Sequence, residues 1–130
     1  MRLMMIQGGF GPGGAEKIMA QVAAHRHAKG DQVNVVAMYM PESGPFFPYP
    51  DGIPLTALVT DAPRNKLLHL RRLMAIRHHI RQTRPDMILS FLTKINCLTM
   101  IAARGTGIPV AISERNNALA QSRFWAALQN

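Results

Sequence analysis

The stretch QGGFGPGGAE, Gln7 to Glu16, sets a cluster of glycines between an apolar run and a helix-patterned stretch. Glycines at a strand-to-helix turn let the backbone approach a ligand closely. The helix that follows offers unpaired N–H groups and the positive end of its dipole. That combination suits a diphosphate, and Gly13, Gly14 and the backbone of Ala15 are placed to carry it. Glu16 falls in the first helical turn, where a carboxylate suits the dipole with or without a ligand. Two further groups follow apolar runs: Thr93, Lys94 and Asn96 after DMILSF, and Glu114, Arg115 and Asn116 after IPVAIS. Arg115 can grip a phosphate by a two-pronged contact. Glu114 can accept hydrogen bonds from hydroxyls, or simply pair with Arg115.

Several sharper chemistries fail on spacing. Gly9, Gly11 and Gly14 satisfy G-x-G-x-x-G, but six of the eight residues from Gln7 to Gly14 are glycine or proline, so the match is weak. A dinucleotide site also wants an acid closing the second strand to hold the ribose. Here that strand ends Ala37-Met-Tyr-Met40, with no acid until Glu42. A Walker loop fails because Ala15-Glu16 stands where Lys-Ser/Thr should follow Gly14. His25 with His27, and His78 with His79, lack the i, i+4 spacing of helical zinc ligands, and no metal site is expected. Cys97 is the single cysteine, which excludes an intrachain disulfide and reads as a small core residue. No carboxylate pair supports glycoside hydrolysis.

The elements that position these groups alternate. RLMMI (Arg2 to Ile6) reads as a buried strand. Apolar residues at Ala15, Ile18, Met19, Val22, Ala23 and Ala28 form a helical stripe that Gly30 ends. VNVVAMYM is a second strand, PESGPFFPYPDGIP a loop, and LTALV a short third strand. Asp61 as N-cap and Pro63 at the first position open a second helix, which stops before Pro85. DMILSF is strand four, KINCLTMIAARGTG a helix ending near Gly105 or Gly107, and IPVAISE strand five; NALAQSRFWAALQN begins a last helix. Strands that are continuous apolar runs, alternating with helices, indicate a Rossmann-like doubly wound parallel sheet covered on both faces.

Composition fits one α/β domain over residues 1–130. Hydrophobic residues make up 48% and charged residues 17%, and no apolar run is long enough to span a bilayer. A net charge of +8 favours anionic partners. Aromatics do not interleave with the basic residues as a single-strand platform needs, which argues against nucleic acid.

Two stretches carry a family resemblance. GGAEKIMAQVAAHRHAKGDQVNVVA resembles the first βαβ unit of a family 4 glycosyltransferase of the GT-B fold, with its GGAE loop, alanine-rich helix ending K-G, and valine strand. RPDMILSFLTKINCLTMIAARGTGIPVAISERNN resembles the strands further along that domain, which typically read K-P-D, S-F, G-I-P-V and S-E-R-N. The resemblance implies the N-terminal, acceptor-side half of a two-domain retaining enzyme that moves a sugar from a nucleotide-sugar donor. The acceptor it implies is a glycan or a lipid-linked molecule. Gly13, Gly14, Ala15 and Glu16 would then face the donor diphosphate. Thr93, Lys94, Asn96, Glu114, Arg115 and Asn116 would line the edge that meets acceptor or donor sugar. Many members place a histidine where this chain has Ser113-Glu-Arg-Asn116, so the carry-over there concerns position. No cofactor or metal is implied beyond the donor itself. The nucleotide-binding C-terminal domain is expected to be absent from this chain and its own domain to be truncated, which leaves the isolated chain without turnover. A separately encoded donor domain or self-association, near Trp125, would answer that. The rival readings are an inactive remnant or binding module of the same fold and, behind these, a dinucleotide-binding domain.

The basic helix raises one more expectation. Arg71, Arg72, His78 and His79 fall on one arc of a helical wheel, with Leu70, Leu73, Met74, Ile76 and Ile80 on the other. Such a face is either simply solvated or rests on acidic lipid headgroups, with Arg77 and Arg81 interrupting the apolar arc. The expected location is cytoplasmic, with peripheral attachment to the inner face of the membrane as the sharper form.

Overall fold

The computed structural model describes residues 1–58, 66–91 and 93–113. Its elements run β1 (Arg2–Gly9), α1 (Gly14–Ala28), β2 (Gln32–Tyr39), β3 (Leu55–Ala57), α2 (Lys66–Thr83), β4 (Met87–Phe91), α3 (Thr93–Ala102) and β5 (Val110–Ser113). The five strands form one sheet in the order β3-β2-β1-β4-β5, and every pairing is parallel. The chain is therefore an α/β Rossmann-like fold, as the alternation of apolar runs and helices indicates.

Alternation along β1 explains the two layers. Leu3 and Met5 point to one face, where they meet Val33, Val35 and Ala37 of β2 and Met19 and Ala23 of α1. Met4 and Ile6 point to the other, against Val36 and Met38 and against Ile76, Ile80, Ile95 and Ala102 of α2 and α3. Met4, Met5 and Ile6 are all fully buried. A central parallel strand has no solvated face, so it tolerates no polar alternation. Each such side chain contributes roughly 1.5–3 kcal/mol by leaving water.

Helix ends follow local rules. α1 closes on Lys29, and Gly30 takes φ 94°, a left-handed position that glycine adopts without strain. α2 ends before Pro85, with Arg84 at φ 45° in the turn. α3 is finished from outside: Arg77 of α2 donates through Nη1 to the carbonyl oxygens of Ala102 (3.0 Å) and Arg104 (2.7 Å).

Some expectations need correcting. β1 continues through Gln7, Gly8 and Gly9, because Gly9 still pairs with Tyr39 of β2, so strand pairing outlasts the apolar run. Ala28 is exposed and Ala20 is buried on α1. Cys97 is exposed rather than in the core, since Ile95, Asn96 and Thr99 take the inward positions of α3. On α2 the direction of the core is set by Ile76 and Ile80. Met74 lies about 200° from Ile76 around the helix, and it is 62% exposed, with Leu70 at 50%. His79, assigned above to the outer arc, is half-buried and turned toward β2. The expected caps Asp61 and Pro63, and the helix from Asn117 with its Trp125, lie outside the described residues.

Candidate functional site at the carboxyl edge

The carboxyl ends of β1, β2, β4 and β5 lie along one edge of the sheet, and the N-termini of α1 and α3 open there on opposite faces. Ligands of doubly wound sheets bind at such an edge, beside the point where strand order reverses. In this order the reversal falls between β1 and β4, which puts the glycine turn after β1 at the crevice.

The turn is held from within. Phe10, 1% exposed, anchors it in the core on the α1 side. Its N–H donates to Tyr39 O (3.2 Å), and its carbonyl accepts from Phe46 N (2.8 Å). Gly13 is the N-cap of α1 in extended conformation, with no side-chain capping bond, and its carbonyl accepts the first helical bond from Lys17 N at 3.1 Å. The N–H groups at the head of any α-helix have no intrahelical acceptor. The backbone around Gly14 and Ala15 is thus where an anion finds donors. Gly11 and Gly14 have open space where a side chain would project, whereas one at Gly13 would run into Glu16 Oε2. The Glu16 carboxylate folds back over the N-cap, where a carboxylate is favoured by the helix dipole.

The proline-rich loop closes over this turn. Tyr49 packs edge-on against Phe10 with ring centroids 5.9 Å apart, and its hydroxyl accepts from Gln7 Nε2 at 3.4 Å. Burial pushes the Tyr49 phenol up to about 12, against a smaller opposing effect of the Gln7 bond; the Glu16 charge adds to the rise. Gln7 is 1% exposed, and its Oε1 has no partner among the described residues. Phe46, Phe47 and Tyr49 stand out in the sequence as apolar residues of the loop that either meet a ligand or fold back on the core, and Tyr49 folds back; Gln7 does not stand out. The signal that could have found Gln7 is a polar residue interrupting a buried strand just before the glycines.

On the other flank, Asn96 is buried at the head of α3 and donates from Nδ2 to Ser113 O at 3.3 Å, which ties α3 to the end of β5. Its Oδ1 has no partner among the described residues. Below it, Ser90 Oγ donates to Thr99 Oγ1 at 3.2 Å. Thr93 and Lys94 open α3 at the same edge. Asn96 thus works as an internal tie rather than a surface contact. Glu114, Arg115 and Asn116 lie outside the described residues.

The remaining singled-out groups lie away from this edge. Arg71 and His78 are exposed on α2, and Arg72 is partly buried. His79 Nε2 lies 3.4 Å from Asn34 Oδ1, and burial, with His78 beside it, holds its pKa below the ordinary 6.5. Among the described residues no group of three or more His, Cys, Asp or Glu is placed to hold a metal ion. No described helix is long and apolar enough to cross a membrane. A hollow of about 630 Å³ sits at the opposite, amino edge, lined in part by Arg2, His27, Asp31, Asn34 and Thr83. Topology and the helix N-termini favour the carboxyl edge.

A parallel sheet with a glycine turn at its switch point defines a Rossmann-like domain of the kind found in GT-B glycosyltransferases. A family model described as "Glycosyl transferase 4-like domain" matches residues 13–129, and the chain belongs to that family. Among solved structures it is similar to sucrose-phosphate synthase from Thermosynechococcus elongatus, at TM-score 0.71 and 12% identity, covering 94% of this chain and 35% of that one. It is similar to MurG of Acinetobacter baumannii at TM-score 0.60 and 20% identity, covering 94% and 38%. A C-terminal domain of a Pyrococcus furiosus hydrogenase also matches, at TM-score 0.59 and 12% identity, covering 86% and 89%. At such identities these likenesses concern the fold alone. The chain spans little more than a third of the first two proteins. No curated protein matches its sequence at a significant level.

Proposed function

We propose that this chain is the acceptor-side half of a retaining glycosyltransferase that moves a sugar from a nucleotide-sugar donor to a lipid-linked or polysaccharide acceptor. The observation that carries the reading is the α1 N-terminus. Its first N–H groups, which have no intrahelical acceptor, lie at the carboxyl edge behind Gly13 and Gly14, and the chain belongs to a family of glycosyltransferase domains. In transfer, the leaving diphosphate gains negative charge, and preoriented N–H groups at a helix N-terminus stabilise it. Glu16 then swings off the N-cap as the phosphate arrives. The Gln7–Tyr49 pair holds the loop beside the acceptor, and Glu114, Arg115 and Asn116 meet the sugar or acceptor. The donor needs no metal in this scheme, because N–H groups and the dipole take up the charge. The edge would form one wall of a cleft whose other wall is a donor-binding domain. The same domain kept as a binding module without catalysis is the alternative. An acidic membrane surface is the partner that a lipid-linked acceptor brings.

Amide chemical-shift mapping with uridine diphosphate tests the reading. The expected result is perturbation centred on Gly11 to Glu16, with no sugar transfer by the chain alone. Perturbation confined to the amino-edge hollow, around His27 and Asn34, would refute it.

A further inference from the structure

A hollow of about 530 Å³ opens at the amino edge, between the end of α2 and the turn that joins α3 to β5. Its floor is apolar, made by the fully buried Ile80 with Pro85 and Ile108. Exposed Arg81 and Arg84 line its rim, and no acid does. Neither guanidinium has an ion pair or hydrogen bond among the described residues. The acid nearest in sequence, Asp86, is turned to β1, where its Oδ2 accepts from Arg2 N at 2.7 Å. The hollow of about 630 Å³ on the same edge differs in this respect, since its Asp31 is already paired with Arg26 and the N-terminal ammonium.

Arg84 stands where glycine would be cheaper. It takes φ 45°, and its N–H donates to Ile80 O at 2.9 Å, closing α2 as a helix-ending glycine does. A side chain at such a left-handed position carries a steric cost that glycine avoids. Strain of this kind points to a use for the side chain, and here it brings a cation to the hollow. The facing wall is fixed. Arg77 holds the carbonyl oxygens of Ala102 and Arg104, while the Thr106 hydroxyl donates to Ala103 O and accepts from Ile108 N at 3.3 Å. The Gly105 N–H on that wall donates to none of the described residues.

We propose that this hollow binds a small soluble phosphate monoester, with Arg81, Arg84 and the Gly105 N–H on the phosphate and the carbon body against Ile80, Pro85 and Ile108. Planar guanidinium groups match phosphate oxygens two at a time. An apolar recess of roughly 300–1,000 Å³ with a few converging polar groups is the usual form of a small-molecule site. The site lies at the opposite edge of the sheet from the glycine turn, so it and the proposed transfer reaction stand or fall separately.

The experiment is amide chemical-shift titration of the 130-residue chain with phenyl phosphate, with inorganic phosphate and with phenol. Phenyl phosphate should shift the amides of Arg81 to Arg84 and of Gly105 to Ile108, and should saturate. Inorganic phosphate should shift the same amides with weaker affinity, and phenol should leave them unmoved. Arg84→Gly should weaken phenyl phosphate binding by about tenfold or more, since it removes a charged donor. Its melting temperature should be unchanged or higher, because glycine relieves the left-handed strain. Arg81→Gln should also weaken binding, whereas Arg71→Gln, an exposed cation of α2 that does not line the hollow, should bind like the parent. Absence of saturable shifts would overturn the proposal, as would shifts centred on Gly11 to Glu16. Equal loss from Arg71→Gln, or full binding by a folded Arg84→Gly, would do the same. Shifts at these amides with phosphatidic acid vesicles but not with phenyl phosphate would also overturn it, because the phosphate would then belong to a surface.

Discussion

Gln7 Nε2 donates to Tyr49 Oη at 3.4 Å, joining the end of the central strand to a loop more than forty residues further along. The bond is long for a hydrogen bond, but among the described residues it is the one partner that the buried Gln7 amide has. Tyr49→Phe removes that partner and leaves both ends of the amide unpaired inside. The expected loss is about 1–3 kcal/mol, read as a lower urea midpoint with unchanged slope.

The same residue fixes an alkaline limit. Tyr49 ionises near 10 when unfolded and at about 12 when folded. Its contribution is therefore fully present below pH 10 and is lost as pH rises toward 12, because only the unfolded chain releases the proton there. Tyr49→Phe should flatten the fall in stability across that window, as measured by urea unfolding at stepped pH.

His79 gives the acid counterpart. Its folded pKa lies below 6.5, chiefly through burial, so between the folded value and 6.5 the unfolded chain binds the extra proton. Stability is complete above 6.5 and declines as pH falls through that window. Replacing His79 with Gln should remove this part of the slope, while the same change at the exposed His78 should leave most of it.

Arg77 joins the two helices of one layer through the carbonyl oxygens of Ala102, the last residue of α3, and of Arg104 just beyond it. Arg77→Met keeps the apolar stem and deletes both charge-assisted bonds. A loss of about 1.5–3 kcal/mol is expected. Amide exchange should quicken first in α3, whose carbonyl end has lost its cap.

Gly13→Ala separates fold from site. The atom in the way is the far end of a flexible Glu16 side chain, so the fold should give way cheaply, with a change within about 0.5 kcal/mol. Diphosphate binding should fall more than stability, because the new methyl and the displaced carboxylate crowd the N–H groups. Equilibrium dialysis beside thermal melts distinguishes the two effects.

The sheet was legible because parallel strands buried on both faces write themselves as unbroken apolar runs such as MILSF and VNVVAMY. The glycine turn was legible because a cluster of glycines between an apolar run and a helical stripe marks a strand-to-helix turn. What stayed hidden was direction. Leu70 and Met74 match the helical period of a core stripe, and only the seating of Ile76 and Ile80 against β4 and β1 decides that they point outward. The pairing of Gln7 with Tyr49 was hidden for another reason. It depends on how a proline-rich loop folds back, and a loop carries no periodicity from which to read it.

The position of β1 has a consequence for synthesis. It leaves the ribosome before both of its partner strands, yet it is the middle of the sheet: Arg2 waits for Gln32 on one side, and Leu3 waits for Met87 on the other. Closing that second pairing fixes a loop of more than eighty residues before any contact rewards it, which makes this a slow step. Until β4 emerges, Met4, Met5 and Ile6 have β2 on one flank and nothing on the other. The nascent chain thus carries an apolar strand uncovered until β4 arrives, a client for a chaperone that grips short apolar strands.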